Sequence, residues 1–366
     1  MTEPFEAAII GAGVVGLAAA RALSLLRRRV VVLDRGPPGG EASGASAGML
    51  ASQIEAHAGS ALLRFGIEGR ERHLALAAEC SAAGHSYPIS MSGISVVALG
   101  DARATELQAQ VLAQRALGLN TEWLSREDLV KRQPGISREA RGAFCAPSDG
   151  WVDNVALCAS LAKIARAKGA TFATDRVVAV EPRDHVQRVH TAEAEYEARI
   201  VVIAAGAWSG GIEGVRHPFP VEPVRGQMAE IAWPRGEPSN VLYGADGYIV
   251  PRICLALLGS TTEHVGFEKR TTEEGLEHIR REAAAILPAL ATVPFTRTWS
   301  GLRPMTPDGL PILGFDPDVP GLLYATGHGR NGMLLGPISG EIVRDLVVRG
   351  ETKWDISAYS IQRFGA

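Results

Sequence analysis

Three glycines, Gly11, Gly13 and Gly16, separate the apolar run Ala7–Ile10 from an alanine-rich run that reads as a helix. This spacing suits a pyrophosphate. Gly11 permits the tight turn out of a strand. Gly13 has no Cβ, so a phosphate can approach the backbone. Gly16 lets the helix pack closely on the strand. Val14 and Val15 then open a helix whose free N–H groups and positive dipole end favour anions. A second apolar strand, Val30–Leu33, ends in Asp34, whose carboxylate would accept hydrogen bonds from the hydroxyls of an adenosine ribose. Strand, turn, helix, strand and acid together predict a βαβ unit that binds a dinucleotide.

The fingerprint alone does not separate NAD from FAD. Three further features favour FAD. After Asp34 and Arg35 comes a segment of small residues that includes Ala42, Ser43, Ala47 and Gly48 and has no large side chain before Met49. Such a backbone is expected to lie against something flat, as an extended flavin would be. Gly206 stands at the C-terminal end of the buried strand-like run Ile200–Ala204, where open α/β sheets hold ligands. Finally, Gly327-His328-Gly329-Arg330-Asn331-Gly332 leads through Met333 and Leu334 into a helix. Its positive end would favour the charge of a reduced flavin. Val177, in the strand-like Arg176–Val180, completes the expected cofactor-contacting set.

Composition narrows the class. The chain has 366 residues, a net charge of −3, 46% hydrophobic and 21% charged residues. That predicts a globular protein of two domains, with no electrostatic reason for nucleic acid or an anionic membrane as partner. The four cysteines, Cys80, Cys145, Cys158 and Cys254, have no metal-ligand or redox-pair spacing and are expected to be reduced thiols. No pair of histidines has metal-ligand spacing either, so no metal is expected. Acidic Glu3 and Glu6 precede the uncharged run Ala7–Ala20, and Arg27-Arg28-Arg29 follows it, the wrong order for a secretory signal. A cytoplasmic location is expected, with the three arginines complementing the C-terminal end of the first helix.

The elements that must position these residues follow from periodicity. Helices are expected over 61–80, Arg103–Leu117 and Asn154–Lys168, with Ser125-Arg-Glu-Asp128 as a capping-box start. Strands are expected at Gly93–Leu99, Arg176–Val180, Val186–Thr191, Ile200–Ala204 and Leu322–Gly327. The expected architecture is α/β in two domains. A discontinuous Rossmann-like FAD-binding domain takes residues 1–84, 146–219 and 300–366, and a strand-rich substrate domain takes 85–145 and 220–299.

The blocks Ile9–Gly16, Gly40–Leu50, Tyr248-Ile-Val-Pro-Arg252, Gly301-Leu-Arg-Pro304 and Gly327–Gly332 span almost the whole chain. In this order they resemble the FAD-dependent amine oxidases of the D-amino acid oxidase superfamily, and within it the glycine oxidases of thiamine thiazole biosynthesis. The resemblance implies noncovalent FAD and oxidation of glycine or a similar small amine by hydride transfer to the flavin. Oxygen would then be reduced to hydrogen peroxide, and the imine would hydrolyse to a keto acid and ammonia. It also implies a possible homo-oligomer, a tetramer in relatives. The sarcosine oxidase branch tethers its flavin through a cysteine near the C-terminal helix, and this chain has none between 301 and 336.

The same resemblance places the carboxylate-binding arginine on Arg303. A guanidinium can grip a carboxylate in a bidentate fork. Tyr248 would add a hydrogen bond to the carboxylate, Arg330 would approach substrate or flavin, and Thr262 would tune the pocket for side-chain size. No side-chain base is needed, because positioning and electrostatics carry the step. Two alternatives stay open at this point: a D-amino acid dehydrogenase that passes electrons to a quinone, and a flavin-binding subunit without turnover.

Overall fold

The computed structural model describes residues 3–183, 185–216, 218–233 and 240–365. Its first sheet is built around the strand Phe5–Ile10, with Val30–Asp34 and Glu195–Ile203 paired in parallel on either side. Thr171–Thr174 extends it beyond Val30–Asp34, and Leu322–Thr326 pairs with the C-terminal half of Glu195–Ile203, again in parallel. The antiparallel strand Ile312–Phe315 follows Leu322–Thr326, and a hairpin of Val177–Glu181 and Gln187–Thr191 joins the N-terminal half of Glu195–Ile203. The βαβ unit and two strands from far along the chain therefore share one sheet, as expected. Their carboxyl ends, Ile10, Asp34, Ile203 and Thr326, lie along one rim.

Parallel strands buried on both faces need continuous apolar runs, and Ala7–Ile10 and Val30–Leu33 are both buried. The helices Val14–Leu25, Asn154–Ala167 and Gly332–Arg349 contribute to the core on one face, and Ile212, Phe219, Tyr324 and Ile361 fill the other. The first helix ends at Leu25, so Arg27, Arg28 and Arg29 fall beyond its last turn. Arg28 and Arg29 turn back to pair with Glu6 and Glu3.

The second sheet runs in the order Phe295–Met305, Glu222–Ala232, Leu255–Gly259, Tyr248–Arg252, Val241–Tyr243, Ile94–Leu99, Ala140–Ala146, Glu122–Ser125. It is antiparallel except where Val241–Tyr243 meets Ile94–Leu99. The helix Glu273–Ile286 closes one face with Ile279, Ala283 and Ile286. A small sheet of Met49–Leu50, Gly150–Val152 and Ile89–Ser90 lies beside the loop that follows the second strand. The long strand Phe295–Met305 crosses the boundary expected at 299/300 and carries Arg303 within the second sheet. The expected helices are present as Ala61–Ala82, Asp101–Ala116 and Asn154–Ala167, and Ser125 Oγ accepts from Asp128 N–H at 3.1 Å.

Candidate active site

A cavity of about 340 Å³ opens between the carboxyl rim of the parallel sheet and one face of the second sheet. Its first wall is the glycine turn. Gly11 has φ +110°, and a Cβ there would lie 2.3 Å from the Ala204 carbonyl oxygen. A Cβ on Gly16 would lie 2.0 Å from the Gly11 carbonyl oxygen. Gly16 is thus the packing contact beneath the turn and does not itself line the cavity. Gly13 stands at the N-cap of the first helix with no side-chain cap of its own, and Ser43 Oγ accepts from Val14 N–H at 2.9 Å. Asp34 accepts from Ala12 N–H at 2.6 Å and from Gly36 N–H at 2.8 Å.

The small-residue segment forms the second wall, and three distant residues hold it. Asn154 donates to the carbonyls of Ser43 and Gly44 at 2.8 and 3.0 Å. Trp299 donates to Ala45 O at 2.9 Å. Arg252 donates to Ala47 O and Val152 O at 2.9 and 3.1 Å, over the ring of Trp151. Burial lowers the Arg252 pKa to about 10. The result is a held stretch of backbone that lines the cavity with nothing larger than serine from Ala42 to Gly48.

Gly206, Val177, His328, Gly329, Gly332 and Met333 also line the cavity, with Arg35, Ala42, Ala47, Gly48 and Met49. Arg35 lies over the ring of Trp208, 3.9 Å from its centroid. His328 is buried, its Nε2 2.9 Å from Ser339 Oγ, and burial lowers its pKa to about 3. It is therefore a neutral imidazole. Asn331 and Leu334 were expected at the cofactor but do not line the cavity. Asn331 is buried as the N-cap of the C-terminal helix, and Leu334 is buried in the core. In this helix the residues after Met333 turn away from the rim.

The third wall comes from the second sheet. Arg303 donates from Nη1 to Thr261 O at 3.1 Å and Arg225 O at 3.4 Å, and from Nη2 to Ser260 Oγ at 2.8 Å. All three acceptors are neutral. Its remaining N–H groups, at Nε and Nη2, make no hydrogen bond among the described residues. Burial lowers its pKa below the ordinary arginine value, the nearby Tyr248 partly opposes this, and the Arg330 charge adds to it. A half-buried guanidinium with no counter-carboxylate, aimed into a cavity, marks a place for an anionic ligand. Tyr248 is buried beside it in the cavity wall, its Oη donating to Met228 Sδ at 3.3 Å, its ring 5.6 Å from that of Tyr243.

Arg330 differs from Arg303. Its Nε lies 3.1 Å from Glu55 Oε2, and its Nη2 donates to Glu55 and to Tyr243 Oη. Thr262 is exposed and lies outside the cavity, a correction to its expected place. Thr261 is buried and bonded to Glu263, and Ser260 takes the position facing the cavity. Periodicity fails in this non-repeating segment after Gly259. Sequence reasoning also missed Ser260, Glu55, Met228 and Trp208. Only the small-residue run leading to Glu55 signalled a nearby site.

Residues 6–346 match the family described as DAO, FAD dependent oxidoreductase. The chain belongs to the FAD-dependent oxidoreductase family. The glycine oxidase of Geobacillus kaustophilus (strain HTA426) is 33% identical, over 99% of this chain and 98% of the relative. The bifunctional protein ThiO/ThiG of Synechocystis sp. (strain ATCC 27184 / PCC 6803 / Kazusa) is 32% identical over all of this chain and 55% of its own length. The crystal structure of glycine oxidase from Geobacillus kaustophilus superposes with a TM-score of 0.94 at 32% identity, covering 99% of each chain.

The walls fit the FAD of this oxidoreductase family. Backbone free of Cβ at Gly11 and Gly13, the first helix's N-terminus, the Asp34 carboxylate and the bare stretch 42–48 are the donors, acceptors and flat surface that FAD needs. None of the four cysteines lines the cavity. Among the described residues no helix is long and apolar enough to cross a membrane.

Proposed function

We propose that this oxidoreductase oxidises glycine or a similarly small amine by two electrons, with oxygen as the final acceptor. The products are an imine, hydrolysed to a keto acid and ammonia, and hydrogen peroxide. The observation that carries the reading is Arg303, a half-buried guanidinium that faces the cavity and is met only by neutral acceptors. An α-carboxylate would complete its fork through the free Nε and Nη2 hydrogens. The names of the full-length relatives agree with this substrate class, and the ThiO/ThiG relative supports a role in thiamine synthesis.

In this reading the parallel sheet, with residues 1–84, 146–219 and 300–366, is the cofactor side. The second sheet, with 85–145 and 220–299, is the substrate side, to which the Arg303 strand contributes from the cofactor-side range. Gly11, Gly13, Val14, Val15, Asp34, Ser43 and the rim residues hold FAD noncovalently. FAD, when bound, supplies the two-electron acceptor. Arg303 anchors the carboxylate and so fixes which face of the amino acid Cα is presented. Tyr248 and Met228 wall the site and exclude water from the bond being oxidised. His328 stays neutral and adds no competing positive charge.

The test is anaerobic reduction of the bound flavin by glycine, sarcosine, D-alanine and L-alanine, followed by peroxide measurement in air. Bleaching by glycine or sarcosine, with one peroxide per substrate consumed, is expected. Bleaching without peroxide would move the reading to a dehydrogenase with another acceptor, and no bleaching by any of these amines would overturn it. Acid precipitation should leave the yellow colour in solution; colour retained in the pellet would show a covalent flavin.

A further inference from the structure

Four arginines line the cavity, Arg35, Arg176, Arg303 and Arg330, and the pair that shares one electrostatic neighbourhood, Arg303 and Arg330, is treated differently. Arg303 meets no carboxylate, whereas Arg330 is held by Glu55 through two contacts, Nε to Oε2 at 3.1 Å and Nη2 to Oε1 at 3.3 Å. Tyr243 Oη donates to the same carboxylate at 2.9 Å. The three residues come from distant parts of the chain. Glu55 lies in the loop after Leu50, Tyr243 on the second sheet, and Arg330 in the turn before the C-terminal helix. Glu55 and Arg330 both line the cavity, with side-chain exposures of 15% and 36%.

We propose that Glu55 is a specificity-determining residue: by occupying Arg330 it leaves Arg303 as the one free guanidinium of this pair, and so favours amines with a single carboxylate over those with a second, distal acid. This rests on the reading of Arg303 as the α-carboxylate anchor.

The argument is one of charge matching. Arg303, Arg330 and Glu55 share one electrostatic neighbourhood, because the Arg330 and Glu55 charges both act on Arg303. With the Glu55–Arg330 pair intact, the net charge of these three groups is that of Arg303 alone, which balances one carboxylate. A ligand with a second carboxylate would have to displace Glu55 from Arg330. That would leave a mostly buried carboxylate with only the Tyr243 hydroxyl, a costly arrangement. A purely structural pair would have no reason to lie in the cavity wall beside an unpaired cation. The Glu55 charge is also the largest influence on Arg330, raising its pKa, so the two act as a unit.

Two matched ligand pairs test this on the holoprotein. Sarcosine and iminodiacetate differ by one distal carboxylate, as do the unreactive acetate and malonate. In the wild type, malonate should bind no more than about threefold more tightly than acetate, read from the perturbed flavin spectrum. Glu55→Gln frees Arg330, and the ratio of kcat/KM for iminodiacetate over sarcosine should rise roughly 10- to 100-fold, as expected for a close charge pair. The malonate-to-acetate affinity ratio should rise with it. The gain should vanish in the Glu55→Gln/Arg330→Gln double variant. Malonate binding more than tenfold tighter than acetate in the wild type would overturn the proposal, even if the variants fail to fold. Unchanged ratios in folded Glu55→Gln would also overturn it. If Arg303→Ala leaves acetate binding intact, the anchor reading fails instead, which is a separate outcome from either ratio.

Discussion

Arg303 occupies the space that a side chain on Gly226 would fill. The two residues lie on neighbouring antiparallel strands, with Val224 as the register partner of Arg303 and Gly226 two residues further on, on the same face. A Cβ on Gly226 would lie 2.3 Å from Arg303 Nη2 and 2.5 Å from Cζ. The missing side chain lets a bulky cation lie flat against the sheet with its free edge toward the cavity.

Gly226→Ala should therefore move the guanidinium without disturbing the fold, since Gly226 is not in a left-handed conformation. The apparent KM for glycine should rise by roughly tenfold or more, the scale of a weakened charge-assisted contact. FAD content should stay at the wild-type level. An unchanged KM would show that the guanidinium has room to spare.

Asp34→Ala should weaken FAD binding. The carboxylate already orients the Ala12 and Gly36 N–H groups, and its ribose hydrogen bonds would each contribute about 1.5–3 kcal/mol. A fall in FAD affinity of at least tenfold is expected on titration of the apoprotein. Asp34→Asn, which keeps acceptor capacity but loses the charge, should fall between. Equal affinity in all three proteins would place the ribose elsewhere.

Acid should destabilise the fold through two buried histidines. Burial lowers His328 to about 3 and His73 to about 4, against an ordinary 6.5. Above about 6.5 both folded and unfolded chains hold them neutral, and their contribution is fully present. As pH falls below 6.5 the unfolded chain takes up protons that the folded chain refuses, so stability declines. The slope is about 1.4 kcal/mol per pH unit for each residue. His328→Gln should remove one such contribution, seen as a flatter dependence of the denaturation midpoint between pH 6.5 and 4. A slope equal to the wild type would show that His328 gains a proton without opening the fold.

Much of the cofactor side is legible in the sequence because its signals are local. A glycine turn, an acid at a strand end and a run of small residues each constrain the few residues around them, and Gly11, Asp34 and Ser43 line the cavity. Asn331 and Leu334 show the limit. Motif membership does not say which way a residue faces, and these two serve as helix cap and core instead of lining the cavity. The substrate side is less legible because strands far apart in the chain build it. Nothing near Glu55 in sequence announces Arg330 or Tyr243, and Ser260 and Thr262 differ only in which side of an irregular segment they occupy. The strand Phe295–Met305 likewise crosses an expected boundary because cross-strand pairing with Glu222–Ala232 determines its length.

The most direct test of the account is Arg303→Ala, assayed for glycine oxidation and for FAD affinity in the same preparation. Removing one member of a desolvated charge pair costs about 2–5 kcal/mol. The account predicts a KM for glycine raised roughly 30-fold or more, FAD affinity within about threefold of wild type, and only partial recovery in Arg303→Lys, whose ammonium cannot form the planar fork. A carboxylate-free amine should be oxidised equally by wild type and variant. An Arg303→Ala protein that oxidises glycine with an unchanged KM would contradict the account, because the Arg303 guanidinium would then have no part in holding the substrate.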